Sequence, residues 1–330
     1  MADSSSSVLR RLTPGLVLGF LVFIGLALLG DLQQVSRTIL GFQWRYFLIA
    51  IGFTLVNYTL RFFKWHFYLG QIGVRRLGIW NSLRLFIAGF PLAVTPGKVG
   101  EVLKGVWLMR KTGIPVARGV SVVVAERISD GLAVLALSVV GVIAYPQYWP
   151  AFSTILAVLL IIILVSQIRP LAHWLLDAGE KISLLRRFTQ SLREFYEGSF
   201  ALFRPSTTLL AVLLGTVSWF GEGIGFYFIL LGLGVEPGRS TLAMSVFILA
   251  FSTIIGAVSA LPGGLGAAEV SIAGMVTLIM HQQPATASAA TLLVRLATLW
   301  FGVFLGLISW SISPDLLGMS PGHGESVAEV

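Results

Sequence analysis

Two short stretches of this chain hold residue types that could bind or move charge. One is Thr95-Pro96-Gly97-Lys98-Val99-Gly100-Glu101, followed by Lys104. The other is Leu261-Pro262-Gly263-Gly264-Leu265-Gly266-Ala267-Ala268-Glu269, about half a chain later. Both read Pro-Gly-x-x-Gly and then a glutamate, and both lie between apolar runs. Proline withholds a backbone donor and glycine admits dihedrals closed to other residues, so each stretch is expected to break a helix. The predicted break residues are Pro96, Gly97 and Gly100 in the first copy, and Pro262, Gly263, Gly264 and Gly266 in the second. Irregular backbone within a membrane survives only where protein buries it or water lines it, and paired breaks in two halves of a chain point to a transporter-like site.

Around these breaks the apolar sequence carries Lys98, Glu101, Lys104, Glu126, Arg127, Asp130, Glu222, Glu269 and Arg295. An unpaired ionisable side chain at membrane depth costs about 2.5–3.5 kcal/mol on insertion scales, so such residues need partners or water. Two readings follow. In one, the charges satisfy each other and fix helix packing, with Glu101–Lys104 and Glu126–Asp130 sharing helix faces. In the other, they line a polar cavity that receives an anionic head group. Lys98, Arg127 and Arg295 then hold phosphate, helped by N–H groups at the broken helix ends. Arginine suits that task because its fork binds phosphate in bidentate fashion. Glu101, Asp130 and Glu269 pair with these cations or with a cationic head group. The candidate substrate-binding set is Lys98, Glu101, Lys104, Glu126, Arg127, Asp130, Glu269 and Arg295. Glu222 reads either as a proton-coupling carboxylate or as the partner of a nearby base. Asn57 reads as an interhelical hydrogen-bonding residue.

No catalytic residue is assigned. His66, His173, His281 and His323 lack ligand spacing, so no metal is expected, and no nucleotide or nucleophile motif calls for a cofactor. The Pro-Gly stretches lack the Lys-Ser/Thr and the preceding strand of a phosphate loop. There is no cysteine, which excludes disulfides and thiol chemistry.

The elements that must carry these residues are helices in a membrane. Of the 330 residues, 56% are hydrophobic and only 12% charged, about half the charge of a soluble domain. The apolar runs are long and continuous, which predicts an all-α polytopic protein with six full spans and two re-entrant hairpins. Residues 1–13 are expected to be a disordered cytoplasmic N-terminus, 14–311 the membrane domain, and 312–330 a disordered cytoplasmic tail. Spans are expected over Pro14–Gly30, Arg45–Phe63, Pro115–Ala144, Phe152–Gln167, Thr207–Leu233 and 285–311. The hairpins cover 81–111 and 240–281, although Leu242–Leu261 is itself long enough to cross. In residues 171–204 apolar side chains recur at helical spacing among arginines, which predicts interfacial amphipathic helices. Most tryptophans fall near predicted span ends, as an aromatic belt would place them.

The net charge of +8 is assigned to cytoplasmic loops, not to nucleic-acid binding. With the N-terminus in the cytoplasm, most Lys and Arg fall on that side, including Arg61, Lys64, Arg75, Arg76 and Arg84 in one connection. Only Arg37, Arg45 and Arg239 fall outside. The two halves are then inverted. Pro96 precedes Arg127 by 31 residues and Pro262 precedes Arg295 by 33.

At these residues the chain resembles the lysylphosphatidylglycerol synthase transmembrane region, a flippase-like membrane family. The resemblance rests on Thr95-Pro96, Gly100-Glu101 and Lys104, on Glu126-Arg127 and Asp130, and on Pro262-Gly263-Gly264, Gly266 and Glu269 followed by Arg295. It spans about residues 10–311. The family commonly has arginine where this chain has Lys104. Some members carry a soluble aminoacyltransferase domain after the membrane part; here about twenty residues follow the last span, so none is expected. The resemblance implies a multi-pass flippase of the cytoplasmic or inner cell membrane. Its cargo would be an anionic phospholipid or a polyprenyl-phosphate-linked glycan, and its partners membrane lipids and lipid-synthesis enzymes. The alternatives are an intramembrane lipid-modifying transferase and a non-transporting partner of a lipid-synthesis complex.

Overall fold

A computed structural model describes residues 13–313, except Leu16, Phe23, Ala27, Leu29, 96–99, 145–148 and 182–185. Pro96, Gly97 and Lys98 of the first break thus lie outside the described residues. Among the described residues the chain is helical throughout, with no strand. After helical residues between Thr13 and Leu28, a short helix α1 (Leu32–Leu40) begins where Asp31 Oδ1 accepts the Gln33 N–H at 3.0 Å, a side-chain N-cap. It buries Val35 against Ala285, Ala289 and Leu292. The polar stretch after the first apolar run is thus a short helix.

Helix α2 (Trp44–Gln71) is longer than the predicted span and continues through the aromatic run Phe62–Tyr68. Two ten-residue helices follow, α3 (Ile79–Ala88) and α4 (Leu103–Thr112), separated by a 3₁₀ turn over Phe90–Val94 and the first break. Each rises only about 15 Å, half the thickness of a hydrocarbon core. Helix α5 (Val116–Ala144) begins directly after Pro115 and carries Arg118, Glu126, Arg127 and Asp130. Helix α6 (Trp149–Ser166) is apolar on every side and buries only Phe152, the signature of a helix facing lipid. The segment read as amphipathic forms α7 (Arg169–Glu180) and α8 (Thr189–Leu202), with Trp174, Leu175, Phe188 and Leu192 exposed. An Arg118–Glu194 ion pair at 2.5 Å ties α8 to α5.

The second half comprises α9 (Pro205–Gly232), α10 (Arg239–Val258), the second break, α11 (Ala267–Leu278) and α12 (Pro284–Ile312). Helix α12 is continuous but contains a π-turn at Leu296–Trp300, immediately after Arg295. Among the described residues, five helices are long and apolar enough to cross a membrane: α2, α6, α9, α10 and α12. Helix α10, read from sequence as a hairpin limb, has 20 residues, the length of a full crossing.

One core cluster joins α2, α3, α4 and α5 around Trp65, Tyr68, Phe86, Leu92 and Trp107. Another joins α9, α10, α11 and α12 around Phe226, Ile248, Ile272 and Leu293. Trp65 and Trp310 are buried in this packing instead of sitting at an interface, which corrects the belt assignment for both. Trp310 Nε1 donates to the Ala88 carbonyl at 2.7 Å, so the end of α12 is fastened to α3.

Candidate functional site

The two breaks meet. The 3₁₀ turn Phe90–Val94 packs against Pro262–Gly264, and Val94 Cγ1 lies 3.3 Å from where a Cβ on Gly263 would sit. Beside this contact is a cavity of about 380 Å³, walled by α2, α3, α5, α9, α10, α12 and both breaks. It is lined by Arg61, Glu101, Lys104, Arg127, Asp130, Glu222 and Arg295 among aromatic and aliphatic side chains.

The second break is a locked structure. Gly263, Gly264 and Gly266 take φ values of 62°, 68° and 88°, the left-handed region that favours glycine. Glu269, fully buried, fastens it with both oxygens. One accepts the Gly266 N–H at 2.6 Å and the other accepts from Arg295 Nε. Arg295 also donates to the Gly263 carbonyl at 3.1 Å, so one arginine joins α12, the break and α11. The first break has a lighter clamp. Thr95 Oγ1 donates to the Leu92 carbonyl at 2.6 Å and accepts the Gly100 N–H at 2.9 Å. Glu101 follows in a 3₁₀ turn and contacts Arg127 at 3.4 Å. In both halves the glutamate after the break therefore pairs with the arginine of the next long helix.

The remaining charges pair across helices. Lys104 Nζ lies 3.3 Å from Glu126 Oε2 and 5.0 Å from the centre of the Trp65 ring, a cation–π distance. Its stem runs over Gly89, where a Cβ would come within 2.1 Å of Lys104 Cε. Asp130 receives two cations from α2, Lys64 at 2.5 Å and Arg61 at 3.6 Å. Lys64 also donates to Ser129 Oγ at 3.2 Å.

Sequence spacing thus brought Glu101, Lys104, Glu126, Arg127, Asp130, Glu269 and Arg295 into one region, and Lys98 lies outside the described residues. The expected Glu101–Lys104 pairing is replaced by Glu101–Arg127 and Lys104–Glu126; Glu101 lies in the 3₁₀ turn ahead of the helix that carries Lys104. Arg61 and Lys64, counted in the sequence as loop cations, are interior: α2 continues ten residues beyond Arg61, and Lys64 is 1% exposed. Their i, i+3 spacing inside an aromatic helical run was the signal that could have placed them. Asn57 does bridge helices, donating to the Ser218 carbonyl at 3.1 Å while Ser218 Oγ donates to the Asn57 carbonyl at 3.2 Å.

Two of the cations that line the cavity, Arg61 and Arg127, are held at longer range, Arg61 3.6 Å from Asp130 and Arg127 Nε 3.4 Å from Glu101. The Arg127 side chain is 32% exposed and that of Arg61 15%. Among the described residues, no group of three or more His, Asp or Glu could hold a metal ion.

A helical fold with apolar spans around a charged interior cavity defines a multi-pass integral membrane protein. The chain belongs to the lysylphosphatidylglycerol synthase transmembrane-region family, whose pattern matches residues 16–306. It is similar to a UPF0104 membrane protein of Methanothermobacter thermautotrophicus, with 26% identity over 316 residues, covering 88% of this chain and 90% of the relative. A UPF0104 membrane protein of Methanocaldococcus jannaschii is 26% identical over 231 residues, 67% of this chain and 92% of its own. One from Pyrococcus horikoshii is 30% identical over 116 residues, 35% of this chain and 33% of its own.

Proposed function

We propose that this protein is a lipid flippase of the cell membrane. It would carry an anionic head group, on a phospholipid or a polyprenyl phosphate, through the charged cavity while the tails stay in the bilayer. The observation that carries this reading is that Arg61, Arg127 and Arg295 line one cavity at the meeting point of two broken helices. Phosphate offers arginines charge-assisted, bidentate acceptors. Arg295 and Glu269 are assigned to holding the second break, and Lys104 and Glu126 to fixing α4 against α5. Both breaks act as re-entrant tips in inverted halves, and rocking of the halves exposes the cavity alternately. The N-terminus and the basic α7–α8 segment lie in the cytoplasm.

The test is movement of labelled lipid across liposomes containing the purified chain. One arm uses labelled phosphatidylglycerol and the other a labelled polyprenyl phosphate. Wild type is expected to move at least one, and Arg61→Gln and Arg127→Gln, with folding verified, to slow it by about tenfold each, the worth of one charge-assisted hydrogen bond. Undiminished movement by both folded variants, or none of either lipid by wild type, would refute the reading.

A further inference from the structure

The cavity sits at mid-height in the bundle. Tyr58, Asp130, Trp219 and Thr298 line it, and each lies thirteen or fourteen residues from both ends of its helix, α2, α5, α9 or α12. At 1.5 Å per residue, that is about 20 Å from either end. Helices of this length cross a bilayer together with its head-group layers, so the cavity falls near the midplane. An opening in its side at this level meets hydrocarbon, not water.

One wall of the cavity is aliphatic and reaches the outside of the bundle. It is made by α6 and α10, which both lean on α5 and touch each other only lightly. Near the start of α6, Phe152 is buried in one cluster with Ala250 and Ile254 of α10 and Leu135 and Val142 of α5. One to two turns further along each helix the cavity lies between them: Ile155 and Leu159 line it from α6, Ala257 and Val258 from α10. Val258 is 66% exposed although it lines the cavity, so the gap is open there. Leu159 packs on Gly131, where a Cβ would come within 3.1 Å of its Cδ1, and Gly131 directly follows Asp130. The aliphatic opening therefore begins beside the charged wall. Beyond Arg239 at the start of α10, neither helix carries an ionisable side chain.

We infer that the cleft between α6 and α10 is a passage for an acyl chain. While a phospholipid head group is held among the cavity's charges, one of its chains lies over Leu135, passes between Leu159 and Val258, and runs out into the bilayer. The occupant follows from the chemistry at the two ends of this space. A head group drawn into hydrocarbon, or a chain laid among buried charges, costs polar groups their partners. An amphiphile avoids both where a charged pocket and an apolar exit adjoin at one depth. The head group then passes the midplane while its chains stay in the bilayer. A gap between two apolar helices also lacks packing partners until a chain fills it. Helix α6 buries only Phe152, so it gives way to a chain at the loss of few contacts.

This inference rests on the reading of the cavity as a lipid site, so its test separates the two. The full-length chain is placed in nanodiscs holding a phospholipid with a diazirine midway along one acyl chain. One arm uses phosphatidylglycerol and the other phosphatidylcholine. After illumination the labelled residues are mapped by mass spectrometry. In wild type, phosphatidylglycerol is expected to label Leu135, 2% exposed behind the cleft, as well as Leu164, 63% exposed on α6. Val258→Trp changes an exposed position and fills the opening. It is expected to lose the label at Leu135 and keep the label at Leu164. Should that variant fail to fold, Ile155→Trp is read in the same way. No label at Leu135 in wild type, or a label there unchanged in the folded variant, would overturn the inference. Movement of phosphatidylglycerol in liposomes without label at Leu135 would remove the passage and keep the head-group reading. Equal labelling of Leu135 by both lipids would keep the passage and remove the preference for an anionic head group.

Discussion

At the level of single residues, the interior charges differ in what they hold. Lys64 and Asp130 are both buried, and Asp130 stays within reach of Arg61 if Lys64 is lost. Among the described residues Lys64 pairs with no second carboxylate. Asp130→Ala is therefore expected to destabilise the protein by about 3–5 kcal/mol, because it strands a buried ammonium. Adding Lys64→Met should recover at least about half of that loss. Thermal unfolding in detergent checks both, and equal loss in single and double variants would refute the pairing. The legible residues were those tied to a backbone signal: Glu101, Glu269, Arg127 and Arg295 stand at fixed distances from the two Pro-Gly stretches. Arg61 and Lys64 were misplaced because they merge with Arg75 and Arg76 into what reads as one basic loop. Their partner, Asp130, is 66 residues from Lys64, and helical spacing speaks only of neighbours three or four residues apart.

At the level of elements, the second break depends on glycines with no substitute. Gly264 has φ 68°, and a Cβ there would sit 2.9 Å from the Gly256 Cα in α10. Gly264→Ala is expected to cost about 1–3 kcal/mol through strained backbone and displaced helices, read as a lowered unfolding temperature. An unchanged temperature would mean that the break is not fixed this way. The reciprocal Asn57–Ser218 bonds predict a smaller effect: Asn57→Leu should cost about 0.6–2 kcal/mol, the range for polar pairs between membrane helices. Breaks were readable from sequence because proline and glycine act locally. The length of α10 and the extension of α2 were less so, since burial inside the bundle lets a helix continue past the point where its own apolar character fades.

At the level of the whole molecule, α12 joins the two halves. Its first part packs on α1 and α11, and its last part on α3 and the 3₁₀ turn of the first break. The orientation in the bilayer is open to a direct test, because the chain has no cysteine to interfere. Lys181→Cys is expected to react with a membrane-impermeant maleimide only from the cytoplasmic face, and Arg239→Cys only from the outside. Labelling of both from one face would overturn the proposed topology.

The π-turn at Leu296–Trp300 lies where α12 passes from one half to the other, and it acts as a phase adjuster. A π-turn takes up one residue more than an α-turn, so the two parts of α12 are rotated against each other by about one residue's angle, about 100°. That rotation sets the facing of Gly306, where a Cβ would strike Pro91 at 2.2 Å, and of Gly302, where it would meet the Tyr58 hydroxyl at 2.6 Å. Deleting Ala297 would let the helix run as plain α with both glycines kept in register, whereas inserting one more residue would swing both out of it and drive full side chains into contacts that leave room for none. A single codon gained in this turn should therefore do more harm than one lost from it, since the gain misaligns one half of the protein against the other while leaving every local residue acceptable.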